Sequence, residues 1–452
     1  MMIQIPSLES KWVEDINRII NQSLGSVDPF LCISETIDLD GNLLRIANSS
    51  INLEIINNIY ILGVGKAVIP MAKAVESKIG KRITGGFLIS KHRIDHVETQ
   101  ISPKIQIHLG GHPLPDERSI DCAKKLEKFV GIIDKNDLII NLISGGGSAL
   151  MSLPYDGISL ADIRLLTDIL LKSGAVIQEI NTIRKHIDRI KGGGLAIMTH
   201  PTQLVSLILS DVVGDEISMI ASGPTIEDET TYLNAMEIIR KYNIENKIPI
   251  SILNHIKMGL RGKVQETVKS GDKAVKNVTN TIIGSLSIAI DSAEKTAQDL
   301  GYNTIIDTKK LVGEAREIGK SIASSFINMY ENDLLNLPTC FMAGGETTVT
   351  ISGNGKGGRN QELVLSAIEQ FENYNNCCMI SIATDGEDGP TDAAGAFITG
   401  TSLKKAKDKG LDPQKYLINN DSYSFFEQIG NLIKIGPTGT NVNDLIFLFC
   451  FR

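Results

Sequence analysis

One glycine-rich turn near the start of the chain has the residue types that bind phosphate. The stretch "GVGKA" contains Gly63, Gly65 and Lys66, and it lies between a predicted strand and a predicted helix. Backbone N–H groups at a helix start favour an anion, and a lysine beside them adds a point charge. A tight turn with a surface lysine would have the same sequence. The motif by itself favours neither interpretation.

A second glycine-rich turn, "TTVTISGNGKGGRNQELVLSAI", contains the pattern G-x-G-x-x-G, which ends at Gly358 and has the letters of a dinucleotide fingerprint. Lys356 and Arg359 stand beside these glycines, whereas a dinucleotide site relies on N–H groups and helix-terminal charge. The two cations favour a triphosphate or a transferring phosphoryl group. The Walker pattern G-x-x-x-x-G-K-[ST] does not occur in the sequence, which argues against that nucleotide fold.

A third turn, "NLISGGGSALMSLP", interrupts an apolar run with Ser144, Gly145, Gly146, Gly147 and Ser148. Three consecutive glycines are costly to order, so the run indicates either a close approach of ligand to backbone or a sharp corner. The turn has no cation of its own. We expect its N–H groups to receive an anionic part of a ligand beside cations from elsewhere.

Carboxylates follow several predicted strands. Asp385 lies in the acidic stretch "IATDGEDGPTDAAGA", Glu346 in "GGE" and Asp211 in "LSDVVGDE". Hard oxygen ligands suit Mg²⁺, and a carboxylate can also accept a hydroxyl proton. An isolated acidic cluster is more often a solvated loop, so the pattern alone is weak.

The stretch "INTIRKHIDRIKGGG" predicts a basic helix, for which a solvated cationic face is the default interpretation. Its cations are Arg184, Lys185, His186, Arg189 and Lys191. Two histidine pairs have four-residue spacing, but His108 and His112 straddle a predicted strand and turn, and HExxH does not occur. We therefore do not expect zinc at these pairs, of which the other is His92 and His96.

Apolar runs of strand length alternate with amphipathic helical stretches, which predicts βαβ units and a mostly parallel sheet. Glycine clusters stand where these runs end, and the carboxyl ends of strands form the ligand crevice of such a sheet. The predicted strands are 58–65, 85–90, 105–109, 138–143 and 204–210, and the helices include 67–79 and 119–133.

A polar stretch rich in Lys and Asn ends near residue 275, after which the βαβ rhythm restarts with a long helix over 311–331. The chain is too long for one ordinary core. We expect an α/β protein of two domains. Residues 1–275 would form a larger, doubly wound Rossmann-like domain and residues 276–452 a smaller α/β domain.

Composition limits the function classes. A net charge of −8 and a pI near 5.5 argue against a nucleic-acid surface. The N-terminus lacks a basic region followed by an apolar core, and apolar runs fall short of about 18 residues, so we expect a cytoplasmic protein with no membrane partner. Six cysteines without CxxC spacing predict buried thiols rather than disulfides or zinc. Small molecules are the expected partners, and a homo-oligomer stays open.

Taken in order, the longer motifs resemble those of the class II glycerate 2-kinases. These proteins pair a large N-terminal domain with a C-terminal MOFRL domain, and members have often been labelled hydroxypyruvate reductases. The resemblance spans roughly residues 10 to 450. It rests on "GVGKA", "GGHPLPDE", "LISGGGSAL", "INTIRKHIDRIKGGG", "LSDVVGDEISMIASGPT", "GGETTVT", "GKGGRNQE", "TDGEDGPTDAAGA" and "GPTGTNVNDL".

The resemblance implies ATP-dependent phosphorylation of D-glycerate at the C2 hydroxyl, with Mg²⁺ and a site in an interdomain cleft. It implies catalytic roles for Lys66, Arg359 and Asp385. Asp211, Glu346 and Asp385 are the expected metal ligands, and Arg184 and Asn360 are assigned to the substrate. The expected nucleotide contacts are Gly63, Gly65, Ser144, Gly145, Gly146, Gly147, Ser148, Lys356 and Gly358.

Two other functions compete with the kinase. An NAD(P)H-dependent hydroxypyruvate reductase is supported by the G-x-G-x-x-G pattern and the historical label. A non-catalytic sensor of sugar acids or nucleotides could use the same fold. We favour the kinase over the reductase, and the reductase over the sensor.

Overall fold

The computed structural model describes residues 3–91, 101–307 and 311–452. The chain divides into two compact units. Pro29–Ile283 forms one, here called the continuous unit, and Met1–Asp28 with Gly284–Arg452 forms the other, the split unit. The first helix, α1 (Ser10–Gly25), lies in the split unit. The predicted N-terminal domain of residues 1–275 therefore differs from the continuous unit at both ends.

The continuous unit contains nine strands and nine α-helices among its described residues. Its strands are β1 (Ile37–Asp40), β2 (Leu43–Ile46), β3 (Ser49–Asn52), β4 (Ile59–Val64), β5 (Ile83–Ser90), β6 (Ile105–Leu109), β7 (Leu138–Ile143), β8 (Gln203–Leu209) and β9 (Val278–Gly284). Its helices are α2 (Pro29–Thr36), α3 (Val68–Ile79), α4 (Glu117–Val130), α5 (Gly147–Leu150), α6 (Leu160–Lys172), α7 (Ile177–His186), α8 (Gly194–Thr199), α9 (Tyr232–Lys241) and α10 (Ile250–Leu260).

The main sheet of this unit has the order β6-β5-β4-β7-β8-β9, and β4 pairs in parallel with both β5 and β7. Numbered from its first strand, this is the 3-2-1-4-5-6 order of the Rossmann fold. The parallel sheet predicted from the alternating pattern is confirmed. The strand order reverses between β4 and β7, and ligands bind outside the carboxyl ends of strands at such a point.

Every residue of β4 and of β7 is buried, which explains why both strands are continuous apolar runs. Helices cover the sheet, and Leu62, Phe87 and Ile139 share one core with residues of α4. A second core joins α6, α7, α9 and α10. Helix α10 lies within the polar stretch that precedes residue 275, so this stretch is not a linker.

The split unit contains a mixed sheet. Its strands are β10 (Asn303–Ile306), β11 (Leu311–Glu314), β12 (Thr339–Thr348), β13 (Cys377–Ala383), β14 (Gly395–Thr399), β15 (Leu432–Ile433) and β16 (Asp444–Cys450). Its further helices are α11 (Leu286–Asp299), α12 (Ala315–Glu331), α13 (Arg359–Ser366), α14 (Ser402–Asp408), α15 (Pro413–Ile418) and α16 (Ser422–Ile429). The order is β10-β12-β16-β13-β14-β15, with β11 also paired to β12. Strands β10 and β11 run parallel to β12, and the other pairs are antiparallel.

The helix predicted over 311–331 is wrong in its first turn. Leu311–Glu314 is strand β11, and the helix begins at Ala315. Gly313 has a φ of +133°, which is not helical. A four-residue apolar strand that leads directly into a helix cannot be separated from it by periodicity.

The expectation of six reduced thiols is wrong for one pair, since Cys377 and Cys450 form a disulfide. They are register partners in the antiparallel pair of β13 and β16, with Cα atoms 4.3 Å apart. That register joins strands 73 residues apart, so the sequence did not reveal it. The other four cysteines are buried, and none of them forms a disulfide in the described residues.

His92 and His96 lie outside the described residues. No helix in the described ranges has the length and apolar character needed to cross a bilayer.

Candidate functional site

The turn after β4 uses its N–H groups to hold the turn after β7. The N–H of Lys66 donates to the carbonyl of Gly145 at 3.0 Å, and that of Ala67 donates to Ser144 Oγ at 3.0 Å. Gly65 must be glycine because a Cβ there would overlap Ser144. Gly63 lies inside β4, where a Cβ would come 2.8 Å from Leu88. These N–H groups and glycines serve the fold, whereas the Lys66 side chain is exposed.

The turn after β7 has the opposite character. Within residues 3–91, 101–307 and 311–452, no acceptor receives the N–H groups of residues 145–148. Gly146 has a φ of +84°, a conformation that favours glycine. Ser148 Oγ lies 2.8 Å from Ser222 Oγ. This turn offers a row of backbone donors to a ligand.

Three side chains surround that turn. A Cβ on Gly145 would contact the carboxylate of Asp211, and one on Gly146 would lie 2.9 Å from the His112 ring and 3.5 Å from Lys66 Cε. Lys66, Asp211 and the glycine turn therefore lie together at the point where the strand order reverses. His112 lies in the motif "GGHP", and no pattern in the sequence assigns it a role.

A cavity of about 240 Å³ opens beside this turn. Its polar wall includes His112, Ser148, Ser152, Arg184, Asp188, Lys191 and Asp211, and its apolar wall includes Ile163, Ile177, Ile187 and Met219. The cavity is large enough for a small organic acid, since one water occupies about 30 Å³ of liquid.

Arg184 is a largely buried cation without an acidic partner in the described part of the chain. Its Nη2 makes one long hydrogen bond, 3.4 Å to Thr167 Oγ1. Burial lowers the pKa of Arg184. A guanidinium in such a place is stabilised by an anion, and the cavity provides space for one.

The other cations of this segment do have acidic partners, so the expected solvated cationic face is wrong. Lys185 lies 3.2 Å from Asp228, and both side chains are at most 5% exposed. His186 Nε2 lies 2.8 Å from Glu266. These pairs lie in the interior of the unit because α7 packs against α9 rather than facing water.

A buried network that sequence reasoning missed forms part of the cavity wall. Lys191 Nζ donates to Asp188 Oδ2 at 2.8 Å and to the carbonyl of Met151 at 3.0 Å. Ser152 Oγ donates to the same carboxylate oxygen at 2.7 Å. The only sequence signal was a single aspartate inside a basic run. The network fixes residues 187–191 against the segment that follows the glycine turn.

In the split unit, the G-x-G-x-x-G turn gives its N–H groups to the protein. The N–H groups of Ser352 and Gly353 donate to Asn420 Oδ1, that of Gly355 to the carbonyl of Asn419, and that of Lys356 to Asp421 Oδ1, at 2.8 to 3.1 Å. A Cβ on Gly358 would overlap Asp388. The Lys356 ammonium lies 4.0 Å from the centre of the Tyr423 ring. The glycines thus permit close packing, and residues 352–356 do not form an open phosphate cradle, although no acceptor in the described residues receives the N–H groups of Gly357 and Gly358.

The start of α13 is capped by a carboxylate from elsewhere in the chain. Asp388 accepts the N–H groups of Asn360 at 3.1 Å and Gln361 at 2.9 Å. Burial raises the pKa of Asp388 to about 6, against these hydrogen bonds. Asn360 is 1% exposed and its Oδ1 accepts a hydrogen bond from Ser381. Asn360 therefore lies in the interior, where its side chain is not accessible to substrate.

Arg359 lies between two carboxylates. Its Nε and Nη2 donate to Asp444 at 2.5 and 3.0 Å, and its Nη1 donates to Glu346 at 3.0 Å. Burial opposes the charge, but the hydrogen bond and charge of Asp444 raise the pKa of Arg359. Glu346 lies within β12 rather than after it. A cavity of about 550 Å³ adjoins Arg359, Glu346 and Gly358.

The three expected metal ligands fall into two sets. Asp211 belongs to the continuous unit, and Glu346 and Asp385 belong to the split unit. Asp385 is half-buried after β13 and accepts the N–H of Glu387 at 3.1 Å. The described ranges contain no group of three or more His, Cys, Asp or Glu that could hold a metal ion. Mg²⁺ needs only one or two carboxylates when phosphate supplies other ligands, and Asp385 fits that need.

Two family models match the chain. Residues 15–257 match DUF4147, described as a domain of unknown function, and residues 339–444 match the MOFRL family. The second match contains Glu346, Arg359, Asp385 and Asp444.

Curated relatives cover nearly the whole chain. The glycerate 2-kinase of Pyrococcus horikoshii is 41% identical over 95% of each chain. The D-glycerate 2-kinase of Thermotoga maritima is 40% identical over 95% of this chain and 96% of that protein. A putative hydroxypyruvate reductase of Agrobacterium vitis is 38% identical over 88% of this chain and 91% of its own.

A solved structure has the same fold. The crystal structure of glycerate kinase from Thermotoga maritima superimposes with a TM-score of 0.85 at 38% identity, and the match covers 98% of this chain and 100% of that chain.

Proposed function

We propose that this protein is a glycerate 2-kinase, because the chain belongs to the glycerate kinase family and contains both the DUF4147 and the MOFRL regions. It transfers the terminal phosphoryl group of ATP to the C2 hydroxyl of D-glycerate and forms 2-phosphoglycerate and ADP. The new bond joins the C2 oxygen to phosphorus, the bond from phosphorus to the ADP oxygen breaks, and the hydroxyl proton is released.

The observation that carries this proposal is the cavity beside the glycine turn. Glycerate is a small anion, and the cavity combines a cation without an acidic partner, Arg184, with the open N–H groups of residues 145–148. We assign the glycerate carboxylate to Arg184. The N–H groups of the turn would then receive the second anionic part of the reacting pair, a phosphate oxygen.

Lys66 and Arg359 are proposed to neutralise charge on the transferring phosphoryl group. Phosphoryl transfer needs little covalent chemistry from the protein, so positioning and charge dominate catalysis. Lys66 is supported by its exposed ammonium at the glycine turn, and Arg359 by the cavity that it adjoins. The assignment of both residues to one reaction rests on the sequence resemblance.

ATP and Mg²⁺ are the proposed cofactors. Mg²⁺ bound to the phosphates would neutralise charge that develops in the transfer. Asp385 is the first choice for its protein ligand, because this half-buried carboxylate has no cation paired with it in the described residues, and Asp211 is the second. Glu346 is a weaker choice since Arg359 engages it.

An enolase-coupled assay tests the proposal. We would incubate the protein with ATP, Mg²⁺ and D-glycerate, and add enolase without a phosphoglycerate mutase. Immediate phosphoenolpyruvate formation, followed by its ultraviolet absorbance, is the expected result. Release of ADP without phosphoenolpyruvate would place the phosphate on the other hydroxyl and contradict the proposed product.

The reductase is disfavoured by the second glycine turn. A dinucleotide fingerprint needs open N–H groups for the pyrophosphate, and here residues 352, 353, 355 and 356 donate to residues 419–421. Oxidation of NADH on addition of hydroxypyruvate, with no ATP consumption on addition of glycerate, would favour the reductase instead.

A further inference from the structure

The two carboxylates that hold Arg359 differ in environment. The Asp444 side chain is 5% exposed and binds two guanidinium nitrogens, Nε at 2.5 Å and Nη2 at 3.0 Å. The Glu346 side chain is 52% exposed and binds one guanidinium nitrogen, Nη1 at 3.0 Å, while its other oxygen accepts a 3.4 Å hydrogen bond from Asn443 Nδ2. One edge of the guanidinium is therefore fixed in the interior, and a second edge is turned to an accessible partner.

The sheet sets this arrangement before any ligand binds. Asp444 is the first residue of β16 and pairs in register with Gly345, the neighbour of Glu346 on β12. Arg359 is the first residue of α13, whose start is held by Asp388. The three side chains thus come from two paired strands and an anchored helix, so their positions do not depend on a flexible loop.

The two contacts should respond differently to an anion. A buried, two-pronged bond between arginine and carboxylate is strong and directional. An exposed ion pair contributes little, because water screens it and two side chains must be ordered. A phosphate group offers oxygen acceptors with greater charge than Glu346, so it can replace Glu346 at Nη1 while Asp444 keeps its bond.

On this basis, and resting on the proposed kinase function, we propose that Asp444 is a positioning residue that presents Arg359 to the nucleotide. Glu346 occupies the accessible edge of Arg359 until a phosphate oxygen replaces it. The cavity of about 550 Å³ beside Arg359 and Glu346 provides room for those phosphates. Glu346 thereby competes with the nucleotide instead of binding its metal.

The first test is titration of ADP into the full-length Glu346→Gln variant in the presence of a chelator. Removal of the competing carboxylate should tighten ADP binding roughly twofold to fivefold, the range for an exposed ion pair. Glu372→Gln is the matched control, because it makes the same charge change in the exposed pair with Lys407 of the same unit. It should leave ADP affinity unchanged.

Unchanged or weaker ADP binding by Glu346→Gln would overturn the competition. If Glu346 is instead a metal ligand, Glu346→Gln should bind ADP as the wild type does in the presence of the chelator and more weakly than the wild type in the presence of Mg²⁺. That pattern would also overturn it.

The second test addresses Asp444. Asp444→Asn should raise the Kd for ADP roughly tenfold to hundredfold, the effect of losing a charged hydrogen-bond partner. In an Arg359→Lys background, Asp444→Asn should have little further effect on the Kd for ADP, because a lysine cannot form the two-pronged bond to Asp444. Additive losses would show a merely structural role and overturn the positioning.

Arg359→Lys alone covers the case in which Asp444→Asn does not fold. It keeps the charge but loses the two-pronged geometry, so ADP binding should fall close to that of Arg359→Ala. Affinity equal to the wild type would overturn the proposal. These titrations use no glycerate, so a failure of the proposed function in the enolase assay remains distinguishable from a failure here.

Discussion

At the scale of single residues, the cations of one basic stretch differ in whether a carboxylate pairs with them. Lys185 and Lys191 are both buried and both lie against a carboxylate, so each is neutralised by the fold. Arg184, in the same segment, has a hydroxyl contact at 3.4 Å and a pKa lowered by burial. The sequence could only place all three in one basic stretch, because their partners are distant along the chain.

Arg184→Met should raise the KM for glycerate roughly tenfold to hundredfold with little change in the KM for ATP, because one charged partner of the carboxylate is lost. The variant should not be less stable, since an unpaired buried charge is removed. Steady-state kinetics and thermal unfolding measure the two effects. Arg189→Met is the control, because Arg189 pairs with Glu127. An unchanged KM for glycerate in Arg184→Met would remove Arg184 from the substrate site.

Lys66→Met should lower kcat by two orders of magnitude or more, about 3 kcal/mol of transition-state stabilisation, while the fold is kept because Lys66 is exposed. Lys78→Met serves as the control, since Lys78 is an exposed lysine in the last turn of α3, the helix that follows Lys66. The enolase-coupled rate with both substrates saturating is the measurement. Near-normal turnover of Lys66→Met would contradict its role.

At the scale of elements, the sequence predicted strands and helices well and glycine turns poorly. Continuous apolar runs identified β4, β5, β7 and β8, because strands buried on both faces leave that pattern. The sequence distinguishes the three glycine turns by their cations, whereas the structure distinguishes them by the N–H groups that remain without an acceptor. Among the described residues, the N–H groups of residues 145–148 and of Gly357 and Gly358 have no acceptor, while residues 66–67 and 352–356 donate theirs to neighbouring segments. Such neighbours, like Asn420 for Gly353, are set by tertiary contacts that local sequence does not contain.

Gly146→Ala tests the turn after β7. An alanine at position 146 would have to keep a φ of +84°, and its Cβ would lie 2.9 Å from the His112 ring. We therefore expect a loss of about 1 kcal/mol in stability and a KM raised several-fold for glycerate or ATP. Gly157→Ala is a matched control, because Gly157 has a φ of +86° in the same unit with no atom within 4 Å. It should lose similar stability and keep both KM values. Equal kinetics in the two variants would leave the turn with a structural role alone.

At the scale of the whole molecule, the compact units do not follow the order of the chain, because residues 1–28 belong with residues 284–452. Alternating strands and helices gave the parallel sheet, but nothing in α1 shows that it belongs with residues 284–452. Its partners are remote: Trp12 stacks on Phe451, and Tyr302 donates to Asp15. Contacts that close a loop of several hundred residues leave no local signature. The disulfide between β13 and β16 escaped prediction for the same reason.

Two carboxylates, one in each unit, should respond to acid with opposite signs. In the continuous unit, the hydrogen bond from His186 lowers the pKa of Glu266 to about 2 against the effect of burial. An acid with a lowered pKa stabilises the folded state above its ordinary pKa of 4.5 and loses that effect as the pH falls toward 2. Asp388 of the split unit has a pKa raised to about 6, so its ionisation opposes folding as the pH rises from 3.8 through 6.

Glu266→Gln should therefore lower the free energy of unfolding at pH 6 by about 1 to 2 kcal/mol, a modest value because Glu266 is one-third exposed. The variant should also lose less stability than the wild type between pH 4.5 and 2.5, since the titrating carboxylate is gone. Urea unfolding followed by circular dichroism at several pH values measures both effects. Glu245→Gln is the control, because Glu245 forms an exposed pair with Lys257 in the same unit. Parallel pH profiles for wild type and Glu266→Gln would show that the hydrogen bond between Glu266 and His186 does not govern acid stability.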